Sequence, residues 1–153
     1  MKKFLVFVLF FIAIFASKVE ISAENVVASN QKGVTDFKGN VTIIKGKDIM
    51  RADVVQVFVD KEKNISKIYA YGKASFYVVP KENLIFKGNA DSFTYYPQKK
   101  EIVLKGKAVI EDLLNNRKII GEEVLFNEET QLANISGNKK EPVKVIFDIQ
   151  DKQ

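Results

Sequence analysis

A short phrase recurs along the chain: glycine, then Asn or Lys, then in the first three copies a run of strand-forming residues. Its glycines are separated by 33, 34 and 31 residues and stand at Gly39, Gly72, Gly106 and Gly137. A second phrase, a small residue and an acid followed by a strand, begins between them at Ala52, Ala90 and Gly121. A fixed period of this size indicates a stacked repeat of two strands and two turns per unit. The alternative is that Gly-Asn turns recur by chance, as they do in many β-proteins.

Alternating apolar and polar residues fill the chain between the turns. Segments such as 54–60, 91–96 and 143–149 are rich in Val, Ile, Phe and Tyr, which suit a pleated, half-buried surface. Beyond residue 16 no window shows a helical apolar stripe of useful length. The sequence therefore predicts an all-β domain of many short strands.

The N-terminus has the pattern of an export signal. Two lysines precede an uncharged apolar run over residues 4–16, which is 13 residues long, whereas a membrane-spanning helix needs about 20. We predict a signal peptide over residues 1–16, cleaved after Ala16, and a folded domain over residues 17–153. An uncleaved membrane anchor is the alternative.

The composition excludes several classes of function. The chain has no Cys and no His, which removes thiol nucleophiles, His-based triads and the usual zinc or copper sites. Loss of the signal peptide lowers the net charge from +5 to +3, because Lys2 and Lys3 leave with it. The remaining lysines are scattered, so no nucleic-acid partner is predicted. We predict no enzyme activity, no catalytic residues, no cofactor and no metal; a hydrolase that uses only carboxylates remains a rival hypothesis.

Strand alternation assigns an inner face. Polar residues at 56, 92, 94 and 123 mark the outer face of the second phrase. The residues predicted to point inward are Val19, Ile21, Val41, Ile43, Val55, Val57, Phe76, Val78, Phe93, Tyr95, Val103, Val109, Val124 and Phe126. Alternation alone does not decide whether these residues fill a core or line a ligand cavity.

The ordered motifs resemble a known family. "FKGNVTIIKG", "RADVVQVFVD", "YGKASFY" and "GNADSFTYYPQKKEIVLKGKAVI", in that order, resemble the OstA-like repeat of the LptA family of periplasmic lipopolysaccharide-transport proteins. The resemblance covers roughly residues 19–147. It implies a slightly twisted β-jellyroll of stacked antiparallel strands, open at both ends, with lipid A acyl chains held between its two sheets. The inward residues named above would then be the apolar lining of a lipid-binding interior.

The resemblance also implies partners and a location. Members join head to tail and bridge an inner-membrane LptC-like protein to an outer-membrane LptD-like protein, so self-association and a periplasmic location are expected. The terminal strands would be the assembly edges, with Val19 and Ile21 at one end and Val143, Val145 and Phe147 at the other. Two alternatives remain: an anchored LptC-like component of the same pathway, and an exported structural β-repeat whose core is filled by its own side chains.

Overall fold

The computed structural model describes residues 18–149, so the predicted signal peptide lies outside the described residues. Within that range the chain forms β-strands and no helix, hence no helix able to cross a membrane. The ten strands are β1 (Val19–Ser22), β2 (Asn25–Ser29), β3 (Val34–Lys45), β4 (Asp48–Val59), β5 (Ile65–Lys81), β6 (Leu84–Tyr96), β7 (Glu101–Asp112), β8 (Arg117–Asn127), β9 (Leu132–Ser136) and β10 (Lys144–Phe147).

All strand pairs are antiparallel, and the sheet does not close. Its order is β1-β3-β4-β5-β6-β7-β8-β10, with β2 beside β3 and β9 beside β8. β1 and β2 therefore share one strand position at the first end, and β9 and β10 share another at the last. The prediction of an all-β fold that is open at both ends is confirmed.

A line of register shifts crosses the long strands near their middle and divides the sheet into two halves; we call this line the crease. The pairing register shifts near the middle of five consecutive strand pairs, at Lys38/Val41, Arg51/Val54, Tyr71/Ala74, Asn89/Ser92 and Lys105/Ala108. Half-sheet I comprises residues 25–29, 34–38, 54–59, 65–71, 92–96, 101–105, 123–127 and 132–136. Half-sheet II comprises residues 19–22, 41–45, 48–52, 74–81, 84–90, 108–112, 117–121 and 144–147. The sequence predicted many short strands, whereas residues 101–105 and 108–112, on either side of the crease, are the two arms of one long strand, β7.

The recurring glycines make the crease. Gly106 has a φ of +87° and Lys107 a φ of +48°, and the pairs that start at Gly39 and Gly72 repeat this geometry. Two successive left-handed residues form a bulge that turns the strand, and glycine adopts that backbone without strain. The acids of the second phrase lie against these glycines: a Cβ on Gly106 would lie 2.7 Å from Asp91 Cβ, and one on Gly72 would lie 2.7 Å from Asp53 Cβ. The glycine of one sequence phrase and the acid of the other therefore meet on neighbouring strands at the crease.

The fourth glycine of the series differs. Gly137 is not among the glycines with positive φ, and a Cβ there would meet the backbone of Glu141, Pro142 and Val143 rather than an acid. It follows β9 and begins the loop that leads to β10. No copy of the second phrase precedes Gly39. At that end of the sheet Glu24 lies against Gly39 instead.

The core lies along the crease. A line of small residues flanks it in half-sheet II, where Ala74 and Ala108 are fully buried and Val41, Ala52 and Ala90 nearly so. Larger buried residues face them from half-sheet I, including Val55, Phe93, Leu104 and Val124, and all belong to one apolar cluster. Small side chains on one arm let the two half-sheets approach closely at the joint.

Candidate functional site

The inner face of half-sheet II carries a continuous apolar row. Directly opposed residues on neighbouring antiparallel strands lie on the same face. The row, from the first strand to the last, reads Ile21, Ile43, Met50, Phe76, Gly88, Ile110, Ile119 and Val145. It contains no charged residue.

Half-sheet I presents two such rows. The row next to the crease reads Val26, Phe37, Val55, Ala70, Phe93, Leu104, Val124 and Ile135. The next row reads Ala28, Thr35, Val57, Ile68, Tyr95, Ile102, Phe126 and Ala133. Burial raises the pKa of Tyr95, and the nearby Glu128 carboxylate raises it further. Tyr95 is therefore neutral at physiological pH, and these rows are uncharged.

Exposure differs between the interior rows. In the middle of the sheet the residues beside the crease are buried, whereas Met50, Ile110, Ile68 and Tyr95, one row farther from it, are only partly covered; Thr35 and Val57 of that farther row are buried as well. We call the space bounded by these partly covered interior rows the trough. Its floor is the packed crease, and its walls are two apolar faces that run the length of the sheet.

The structure places most of the predicted interior residues on the trough or its floor. Val103 and Val109 are the exceptions, and that prediction was wrong. Val103 is directly opposite Thr94 and Leu125, and Val109 is directly opposite Asn89 and Ile120, so both lie on the outer face. Their neighbours Leu104 and Ala108 are buried instead.

The sequence prediction also missed interior residues. Met50, Ile68, Ile102 and Ile110 line the trough, and the alanines of the crease close its floor. The repeat contains the signal that would have found Ile110. Around Gly39 the inward positions are two and four residues after the glycine, at Val41 and Ile43, and the same offsets from Gly106 give Ala108 and Ile110.

Charged residues stand along the rim of half-sheet II. The inward row next to the strand ends includes Lys45 opposite Asp48, and Asp112 opposite Arg117. Asp48 accepts the Val79 N–H at 2.8 Å. Asp112 is buried and accepts from Arg117 Nε at 3.1 Å and from the Asn115 N–H at 3.2 Å. The interior surface of half-sheet II thus changes from an apolar wall to a rim that carries charged residues.

We expect the stability that Asp112 contributes to be lost at low pH. Hydrogen bonds from Arg117, and secondarily from Asn115, hold the pKa of Asp112 below its ordinary value of 3.8. Because the folded-state pKa is depressed, the contribution is complete above pH 3.8 and disappears as the pH falls through the folded-state value. The melting temperature of Asp112→Asn should therefore lie below that of the parent at pH 7, and the gap should narrow below about pH 4. A gap that is equally wide at pH 3 would contradict this.

The two ends of the sheet present open strands. Val145 and Phe147 of β10 are each 56% exposed, and Val26 and Val27 of β2 are similarly exposed. Among the described residues, β10 pairs only with β8 and β1 only with β3. The predicted edge residues Val19, Ile21, Val145 and Phe147 lie on these strands, whereas Val143 precedes β10.

Comparison with known proteins identifies the family. Residues 20–132 match the family described as LptA/(LptD N-terminal domain) LPS transport protein. The chain belongs to this family. The resemblance noted in the sequence is confirmed, and because LptA/LptD N-terminal proteins are transport proteins, so is the prediction that this chain is not an enzyme. No curated protein matches the chain.

A solved structure shares the LptA-type fold. LptH of Pseudomonas aeruginosa is described as the LptA homologous periplasmic component of the conserved lipopolysaccharide transport device. It superimposes with a TM-score of 0.75 at 15% identity, over 88% of this chain and 97% of LptH. This similarity confirms the β-jellyroll predicted from the sequence.

Proposed function

We propose that the protein is a periplasmic carrier of lipopolysaccharide, which holds the acyl chains in the trough and joins neighbouring jellyrolls through its open strands. The observation that carries the proposal is the trough itself. The interior rows that form its two walls are uncharged along the whole sheet; charged residues stand at their edges, along the rim of half-sheet II and at Glu128 near Tyr95 of half-sheet I.

The trough suits an amphiphile with several chains. Transfer of an acyl chain from water to an apolar surface gains about 0.8 kcal/mol per buried CH₂, so even partial cover of several chains stabilises the complex strongly. The rim residues Lys45 and Arg117 would lie beside a phosphorylated head group that remains in water. The periplasmic location of the similar LptH supports the same compartment for this chain.

Strand direction supports assembly in a line. The sheet has eight strand positions in its main path, each antiparallel to the next, so β1 and β10 run in opposite directions. A second copy placed in the same orientation beside β10 would therefore continue an antiparallel ladder with its β1. Strand addition of this kind is a recurrent mode of protein association. The inner- and outer-membrane partners expected for the family would pair with the two ends in the same way.

Native mass spectrometry tests the proposal. After incubation of the purified chain with lipopolysaccharide and gentle desalting, we expect a bound species of lipopolysaccharide mass together with a series of oligomers. Bare protein, under conditions in which a known carrier keeps its lipid, would favour the structural β-repeat with a filled core. The intact mass of the protein from cells separates a chain cut after Ala16 from one that keeps an LptC-like anchor.

Charges on the last strand should block assembly without unfolding the domain. Val145→Lys with Phe147→Lys puts two cations on the open edge, where inward-facing charges oppose strand addition. Both positions are exposed, so the monomer should melt within about 2 °C of the parent. Analytical ultracentrifugation should show only monomers. Leu114→Lys, on an exposed hairpin tip, is the control and should still assemble; oligomers of the β10 variant would refute the edge assignment.

A further inference from the structure

One large interior side chain has no side chain opposite it on one of its two neighbouring strands. Phe76 on β5 is directly opposite Gly88 on β6. A Cβ on Gly88 would lie 2.6 Å from Phe76 Cζ, so the aromatic ring rests on the bare backbone of β6. Every other position of this row in half-sheet II carries an aliphatic or thioether side chain.

The same ring bridges the two half-sheets. The rings of Phe76 and Phe93 are 5.4 Å apart at their centroids with an interplanar angle of 61°, an edge-to-face contact. Phe93 belongs to the buried core of half-sheet I, whereas Phe76 is only partly covered. Phe76 therefore closes the middle of the trough, on the central hairpin formed by β5 and β6.

The surroundings of Phe76 are small or adaptable. Met50 lies directly opposite it on β4, and an unbranched thioether side chain can repack around a neighbour of a different shape. Ala74 precedes it on the same face, and Ala90 lies directly opposite Ala74. If the ring swung away, it would leave a notch floored by Gly88 and walled by Met50 and Phe93.

We propose that Phe76 is a displaceable plug: in the ligand-free protein its ring fills the notch over Gly88, and an acyl chain entering the trough displaces the ring and takes its place. This inference rests on the proposed lipid-carrying function and adds a specificity-determining residue to it. The notch is one ring wide, so it accepts one unbranched chain.

If Phe76 is a plug, truncation of its side chain should increase the affinity for an acyl chain, whereas truncation of a residue in the trough wall should decrease it. An entering chain must break the Phe76–Phe93 contact, and this cost lowers the apparent affinity. Truncation of the ring removes the cost and leaves the notch open. Truncation of an ordinary wall residue removes apolar surface from the complex and weakens binding.

Two alanine variants separate these cases. With a fluorescent single-chain fatty acid and with lipopolysaccharide as probes, Phe76→Ala should bind about two- to tenfold more tightly than the parent, the range that an aromatic pair contributes. Phe126→Ala is the matched control, since Phe126 is a partly covered aromatic of the opposite wall, and it should bind more weakly. Weaker binding by both variants would overturn the inference.

A second measurement uses the unaltered protein. In a sample with ¹³C-labelled phenylalanine, the nuclear Overhauser effect between the Phe76 and Phe93 rings should be present in the free protein and should disappear at saturating palmitate. Persistence of that effect in the palmitate complex would overturn the plug alone. If neither probe bound the parent or either variant, the proposed function would fail, and the plug with it.

Discussion

We expect Gly106→Ala to lower the melting temperature by roughly 6–12 °C and the free energy of unfolding by about 3 kcal/mol. Two costs add at this position. The φ of +87° is a left-handed backbone that costs an L-residue roughly 1–2 kcal/mol. In addition, the new Cβ would lie 2.7 Å from Asp91 Cβ, so β6 and β7 must move apart where the crease packs against the core. Thermal and urea unfolding followed by circular dichroism measure the effect.

Gly46 is the matched control for this experiment. It also has a positive φ, +59°, but a Cβ there would meet nothing within 4 Å. Gly46→Ala should therefore show only the backbone cost, about 1 kcal/mol. Equal destabilisation by the two substitutions would show that close approach of the acid contributes nothing and that the joint is set by backbone conformation alone.

The crease is also where the sequence was most informative. The spacing of Gly72 and Gly106, and of the acids that precede them, can be read from the sequence without knowing which strands pair. It predicted the repeat, the all-β class and the positions at which the chain bends. The sequence did not show that the glycine pairs lie inside long strands, because a two-residue bulge interrupts alternation in the same way that a turn does.

The error on β7 has another cause. The left-handed pair at Gly106 and Lys107 keeps the phase of the alternation, because the inward residues Leu104, Ala108 and Ile110 are separated by even numbers of residues. Residues 102–104 and 108–110 are apolar throughout, so alternation could not distinguish the two faces of β7, and Val103 and Val109 were placed inside. The alternation of apolar and polar residues could not predict the notch at Gly88 either. Its role depends on the ring of Phe76 from the neighbouring strand, and the strand register that brings the two together is not encoded in any single segment.

The interior assignment itself is tested most directly at Tyr95. This side chain lies on the outer row of half-sheet I, directly opposite Ile68 and Ile102, where acyl chains would pack in the proposed complex. Tyr95→Asp places a carboxylate against them, and an unpaired charge in an apolar site costs several kcal/mol. We expect lipopolysaccharide capture to fall at least about 100-fold, which corresponds to 2.7 kcal/mol, in a protein whose circular dichroism shows a folded sheet.

Two controls give the Tyr95→Asp result its meaning. Tyr95→Phe removes only the hydroxyl and should keep capture close to that of the parent. Tyr71→Asp introduces the same charge on the opposite face of the sheet, where Tyr71 is 36% exposed and lies directly opposite Val54 and Ser92; it should also keep capture. If folded Tyr95→Asp captured lipopolysaccharide as well as Tyr71→Asp does, the lipid would not lie between the half-sheets, and the uncharged walls of the trough would have to be explained by folding alone.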